Sequence, residues 1–163
     1  MTHTTTTREP STETARLELQ AQLDAGKTAA ERNELGQFAT PTALALDVLR
    51  YARGVLPPGE PIRFLDPAIG TGSFYSALLA TFSPERIEGA VGYEIDPHYG
   101  DPARSLWADT PLELRMADFT TAAVPPEAER ANLLICNPPY VRHHHLHSEE
   151  KQRLQAETQQ ASG

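Results

Sequence analysis

Two regimes of apolar spacing divide the chain near residue 60. Before it, apolar positions recur at helical intervals. Ala15, Leu19 and Leu23, separated by Glu, Gln and Lys, predict an amphipathic helix over 14–31. "NELGQFATP" (33–41) then reads as a loop, with Thr40 as an N-cap and Pro41 as the first position of a second helix. That helix puts Leu44, Val48, Tyr51 and Val55 on one face and stops at "LPPGEP" (56–61).

Beyond that breaker the apolar residues come in short runs. Residues 62–66, 89–96, 113–119 and 131–137 read as strands, 74–82 as a helix, and the stretch through Trp107 as helix-prone. Strands alternating with helices imply a parallel sheet with right-handed crossovers. The predicted fold class is α/β. Residues 1–13 are polar and of low complexity, which predicts a disordered tail; residues 148–163 read as a frayed polar helix.

Composition narrows the class. The chain has 163 residues, 39% of them hydrophobic, enough for one domain with its own core. No apolar run reaches membrane-span length and the N-terminal stretch is not a signal peptide, which predicts a cytoplasmic protein. One cysteine, Cys136, leaves no intramolecular disulfide framework. A net charge of −8 opposes a large nucleic-acid footprint on this chain alone.

In parallel sheets, ligands sit at the carboxyl ends of the strands. Here those ends are Asp66, Glu94 with Asp96, Asp118, and Asn137. "DPAIGTGSF" (66–74) places Gly70 and Gly72 directly after a strand, where backbone can approach a ligand closely. Tyr75 stands where a dinucleotide loop has its third glycine, so NAD is disfavoured. Asp66 suits a ligand bearing an ammonium group and would repel a pyrophosphate. Glu94 can accept from ribose hydroxyls, with Ile95 against an adenine face; Asp118 can accept from an adenine amino group, with Phe119 packed on the ring. In "LLICNPPYVR" (133–142) two prolines end the strand in a stiff, open loop. The Asn137 amide and the Pro138 carbonyl offer acceptors for one amino group, and Tyr140 offers a stacking face.

Together these motifs resemble the catalytic region of N6-adenine DNA methyltransferases that use S-adenosylmethionine (SAM), in the TaqI-like restriction–modification group. The resemblance covers roughly residues 30–142. "GQFATP" resembles the family's N-terminal cofactor motif, "DPAIGTGSF" its principal SAM loop, "GYEID" its ribose motif, "ADF" its adenine-contacting motif and "NPPY" its catalytic motif.

The resemblance implies a Rossmann-like class I SAM-dependent methyltransferase fold, with the catalytic domain over 14–147. It implies SAM contacts from Gln37, Phe38, Thr40, Asp66, Ala68, Gly70, Gly72, Glu94, Ile95, Asp118 and Phe119. It assigns catalysis to Asn137, Pro138, Pro139 and Tyr140, with an adenine flipped out of duplex DNA, Tyr140 stacked on it and N6 attacking the methyl group directly. No metal is required. The family's later strands and recognition domain have no counterpart, so the expectation is an incomplete catalytic domain, poor or inactive alone: a fragment, a split-gene product, or a half that pairs with a second polypeptide. Protein-glutamine and RNA-adenine methyltransferases, which share the Asn-Pro-Pro-Tyr loop, remain alternatives, as does a SAM-binding fragment without activity. "RHHHLH" (142–147) lacks metal-ligand spacing and reads as a polar loop.

Overall fold

The structure, a computed structural model, describes residues 11–34 and 36–139. The "RHHHLH" segment and the C-terminal helix predicted over 148–163 lie outside them, as does Tyr140. The described residues divide into two compact units, the larger containing 11–26 and 39–138, the smaller 27–34, 36–38 and Pro139.

The larger unit is a four-stranded parallel sheet, β1 (Ile62–Asp66), β2 (Ile87–Glu94), β3 (Leu112–Met116) and β4 (Leu133–Leu134), in the order β3-β2-β1-β4. With α1 (Thr12–Ala25), α3 (Thr42–Val55), α4 (Ser73–Thr81) and α5 (Pro97–Leu106) around it, the unit is α/β as the alternation predicts. Phe64, Tyr75, Leu78 and Trp107 are fully buried, and Trp107 meets Tyr75 edge-on at 4.9 Å.

Four local expectations fail. The predicted helix over 14–31 is two helices, α1 and α2 (Ala29–Glu34). Gly26 caps the first, and Thr28 starts the second through a reciprocal box: Glu31 N donates to Thr28 Oγ1 and Thr28 N donates to Glu31 Oε2. α2 belongs to the smaller unit.

Thr40 does not cap α3. Pro41 occupies the cap position in extended backbone, and helix begins at Thr42.

The apolar face of α3 is also misplaced. Leu44, Tyr51 and Val55 are 54%, 73% and 63% exposed, whereas Ala45, Leu49 and Ala52 are buried. Only Val48 of the predicted face packs partly against the core. Alanines at the contact let α3 lie close to α4, where bulkier side chains would hold it away.

The strand limits shift as well. β3 stops before Asp118, and β4 pairs over two residues where seven are predicted. Asp96 is not part of β2; it caps α5 by accepting from His98 N, with Pro97 at the first helical position.

β1 is flanked on both sides, while β4 is paired with β1 alone among the described residues. Leu133 faces the core at 8% exposure and Leu134 points outward at 57%. Among the described residues no helix is long and apolar enough to cross a membrane.

Candidate functional site at the carboxyl ends of the strands

All strand pairs are parallel, so Asp66, Glu94, Asp118 and Asn137 follow their strands at one edge of the sheet. Their lateral order is Asp118, Glu94, Asp66, Asn137.

Asp66 ends β1 at 1% exposure and accepts from Ala68 N at 3.1 Å. Burial, reinforced by the negative charge of Glu94, pushes its carboxyl up to about 7, against the Ala68 hydrogen bond. Half-buried Cys136 lies within its field; burial, then the Asp66 charge, push that thiol up to about 11. A thiol so raised is a poor nucleophile near neutrality.

Gly70 and Gly72 take positive φ of 55° and 91°, a region that side-chain-bearing residues avoid. They do different work. A Cβ on Gly70 would meet nothing within 4 Å, so its backbone borders open space. A Cβ on Gly72 would meet Trp107 Nε1 at 2.6 Å. The second glycine is therefore spent on packing the loop against an indole.

Glu94 closes the loop from β2. Its Oε2 accepts from Gly70 N at 3.0 Å, and its Oε1 from Ile95 N at 2.9 Å and Asp96 N at 2.8 Å. Burial raises its pKa, against these three amide bonds. A carboxylate has about four acceptor sites, so one remains for an incoming hydroxyl. Accepting from both hydroxyls of a ribose requires the Gly70 amide to let go.

Ile95 is 68% exposed beside Glu94. Asp118 Oδ1 accepts from Thr120 N at 2.9 Å and from the Thr120 hydroxyl at 2.7 Å, capping a short turn. Phe119, which follows it, packs edge-on against Tyr93 at 5.2 Å. Tyr93 is anchored in turn by Arg115, which donates to its hydroxyl at 2.8 Å.

Beyond β4, Asn137 Nδ2 donates to the hydroxyl of buried Thr40 at 3.3 Å, and Pro138 is exposed. The GQFATP and NPPY segments thus meet through these two side chains. Ala68 is half-buried in the loop after β1. Gln37 and Phe38 belong to the smaller unit, where Gln37 Oε1 accepts from Lys27 Nζ at 2.8 Å and Phe38 is 57% exposed. Pro139 is exposed.

No protein-family model matches the chain. Solved structures do. A protein of Listeria monocytogenes, provisionally assigned as a class I SAM-dependent methyltransferase, superposes with TM-score 0.61 at 18% identity, covering 80% of this chain and 40% of its own. A protein of Pyrococcus horikoshii, provisionally assigned as an RNA methyltransferase, gives 0.53 at 21%, covering 78% and 61%. The fold is that of the class I SAM-dependent methyltransferases. This chain spans about 40% and 61% of the length of these two structures.

Sequence reasoning missed a polar cluster behind the Gly70–Gly72 loop. Arg16 on α1 is 1% exposed and reaches Thr71 and Ser73. The signal was present: an arginine in register with Leu19 and Leu23, with Glu13 three residues earlier.

Proposed function

We propose that this chain is the SAM-binding and catalytic part of an N-methyltransferase acting on the exocyclic amino group of adenine in DNA. The observation that carries the proposal is the joining of Asn137, at the end of β4, to Thr40, on the same sheet edge as the Gly70 loop and Glu94.

SAM, when bound, supplies an electrophilic methyl group. The donor set fits it. Open backbone at Gly70 admits its amino-acid end, and buried Asp66 suits its ammonium group. Glu94 meets its ribose by exchanging the Gly70 amide for a hydroxyl, while Ile95, Asp118 and Phe119 flank the adenine. Ala68 and Gly72 shape the loop.

In this mechanism Thr40 takes one amide hydrogen of Asn137 and turns the Asn137 carbonyl oxygen toward the substrate amine. That oxygen and the Pro138 carbonyl accept from the amine, which raises the electron density of a weak nucleophile. Pro139 stiffens the loop, and Tyr140 stacks on the flipped base. Most of the acceleration comes from positioning.

DNA would need a basic surface that a chain of net charge −8 supplies poorly. We therefore assign that surface to further polypeptide, either more of the same chain or a partner. The side of β4 that is unpaired among the described residues is where its strands would add.

The test is transfer of labelled methyl groups from SAM to unmethylated duplex DNA, RNA and a glutamine peptide, with the chain alone and with lysate fractions of its source added. Label at adenine N6 in DNA supports the proposal. Label only on RNA, in line with the assignment of the Pyrococcus horikoshii protein, or only on the glutamine amide, replaces the substrate.

A further inference from the structure

We infer that α1 is a clasp that sets the conformation of the Gly70–Thr71–Gly72 loop, with Arg16 and Gln20 as positioning residues. The consequence for ligand binding rests on the proposal that this loop cradles SAM.

Thr71 is the hub. It lies between two residues of positive φ and is 2% exposed. Its hydroxyl donates to Gln20 Oε1 at 2.6 Å and accepts from Arg16 Nη1 at 3.2 Å. Its carbonyl accepts from Trp107 Nε1 at 3.0 Å. The side chain is drawn back onto α1 and the carbonyl onto the end of α5, which leaves the neighbouring Gly70 backbone facing outward.

The clasp is itself fixed at both ends. Arg16 forms a two-pronged pair with Glu13, Nε to Oε2 at 2.7 Å and Nη2 to Oε1 at 2.7 Å. Glu13 also accepts from Thr42 at the start of α3, at 2.5 Å, and from Ser76 in α4, at 2.6 Å. Although burial opposes it, these bonds hold the Glu13 carboxyl down at about 2. At the other end Gln20 Nε2 donates to Asp24 Oδ1 at 2.9 Å, which also accepts from the Tyr99 hydroxyl at 3.0 Å. His98 Nε2 lies 2.9 Å from Leu23 O.

A buried ion pair is a poor source of stability, since apolar side chains of similar volume do as well or better. What it does supply here is direction. The donors left to Arg16 after its pair with Glu13 point at Thr71, Ser73 and Thr42, the loop and the first turns of the two helices beside it.

Two readouts in the ligand-free full chain test the clasp: amide exchange at residues 69–72, and emission of Trp107, the chain's single tryptophan. Gln20→Leu and Thr71→Val are expected to speed exchange at the Gly70 and Gly72 amides by about tenfold. They should also shift the Trp107 emission and leave β1 and β2 protected. Affinity for S-adenosylhomocysteine should fall by about tenfold in both variants. Thr71→Ser, which keeps the hydroxyl, should restore all three. Arg16→Met removes more of the cluster, and the milder pair stands if it fails to fold. Unchanged loop exchange and emission in Gln20→Leu and Thr71→Val would overturn the inference. So would equal loss of protection in the sheet, or a Thr71→Ser variant as damaged as Thr71→Val. If the wild-type chain does not bind S-adenosylhomocysteine while loop exchange still responds, the clasp stands and the SAM proposal falls.

Discussion

The loops after β1 and β4 share one edge of the same sheet and are built in opposite ways. The β1 loop follows a five-residue strand paired on both sides. Backbone bonds fix it, Ile69 N to Tyr93 O at 2.8 Å and Gly72 N to Ile69 O at 2.9 Å, and α1 grips it from behind. The β4 loop follows two paired residues at the edge of the sheet, among those described, and leads into exposed prolines. One loop is shaped before any ligand arrives. The other has a shorter strand beneath it, a backbone bond from Ile135 N to Leu65 O at 3.0 Å, stiffness from Pro138 and Pro139, and a link from Asn137 to Thr40. In the proposed mechanism the first holds SAM and the second meets a base that must first leave its stack, so the difference matches what each must do.

The largest effect should come from the less supported loop. In a preparation that transfers methyl groups, Asn137→Ala is expected to lower turnover by about 10²–10³-fold, the scale of losing one aimed polar group in a reacting site. Affinity for SAM should stay nearly constant. Equal losses of turnover, SAM affinity and melting temperature would make Asn137 a folding residue and erase the contrast.

The two glycines sharpen it next. Gly72→Ala drives a Cβ into Trp107 at positive φ and should destabilise by about 3 kcal/mol. Gly70→Ala meets open space and should cost only about 1 kcal/mol, for backbone strain. Chemical denaturation of both variants measures this, and equal costs would refute the division of labour.

Asp66 gives a pH signature. Its carboxyl stands at about 7 in the fold against an ordinary 3.8. The fold therefore binds its proton more tightly than the unfolded chain does. Its contribution to stability is fully present below 3.8 and is lost as pH rises toward 7. A ligand ammonium favours the ionised form, so SAM affinity should fall below pH 7, by at most about tenfold per unit, and level off above it. Calorimetry across pH 5.5 to about 8.5, repeated on Asp66→Asn, checks this; a slope that persists in the variant assigns it elsewhere.

The smallest effect concerns the link from Asn137 to Thr40. Thr40→Val removes the acceptor for Asn137 Nδ2 and should raise the barrier to transfer by about 1 kcal/mol, with Thr40→Ser near wild type. Single-turnover rates would show it.

Much of the fold was legible in the sequence, because strands followed by polar or glycine residues announce both the sheet and the edge where those residues gather. Asp66 and Glu94 end their strands as the alternation predicts. Contacts made by small residues and by residues distant in sequence were not legible. The buried face of α3 is marked by Ala45 and Ala52, whose size gives little hydrophobic signal, while Tyr51 and Val55 drew the prediction to the exposed side. Gly72 could not be told from Gly70 without Trp107, which is brought against it by the crossover from β2. Arg16 looked like one charge on a moderately amphipathic helix, and its partner Thr71 lies 55 residues away.

The central claim, that these strand ends hold SAM, is tested most directly by calorimetric titration of SAM into the wild-type chain and into Glu94→Ala. The account predicts saturable one-to-one binding by the wild type. In the variant it predicts a loss of about 1.5–3 kcal/mol of binding in a chain that still melts cooperatively, as expected for a hydrogen bond to a charged group. No saturable binding to the wild type, or equal affinity in a folded Glu94→Ala, would contradict it.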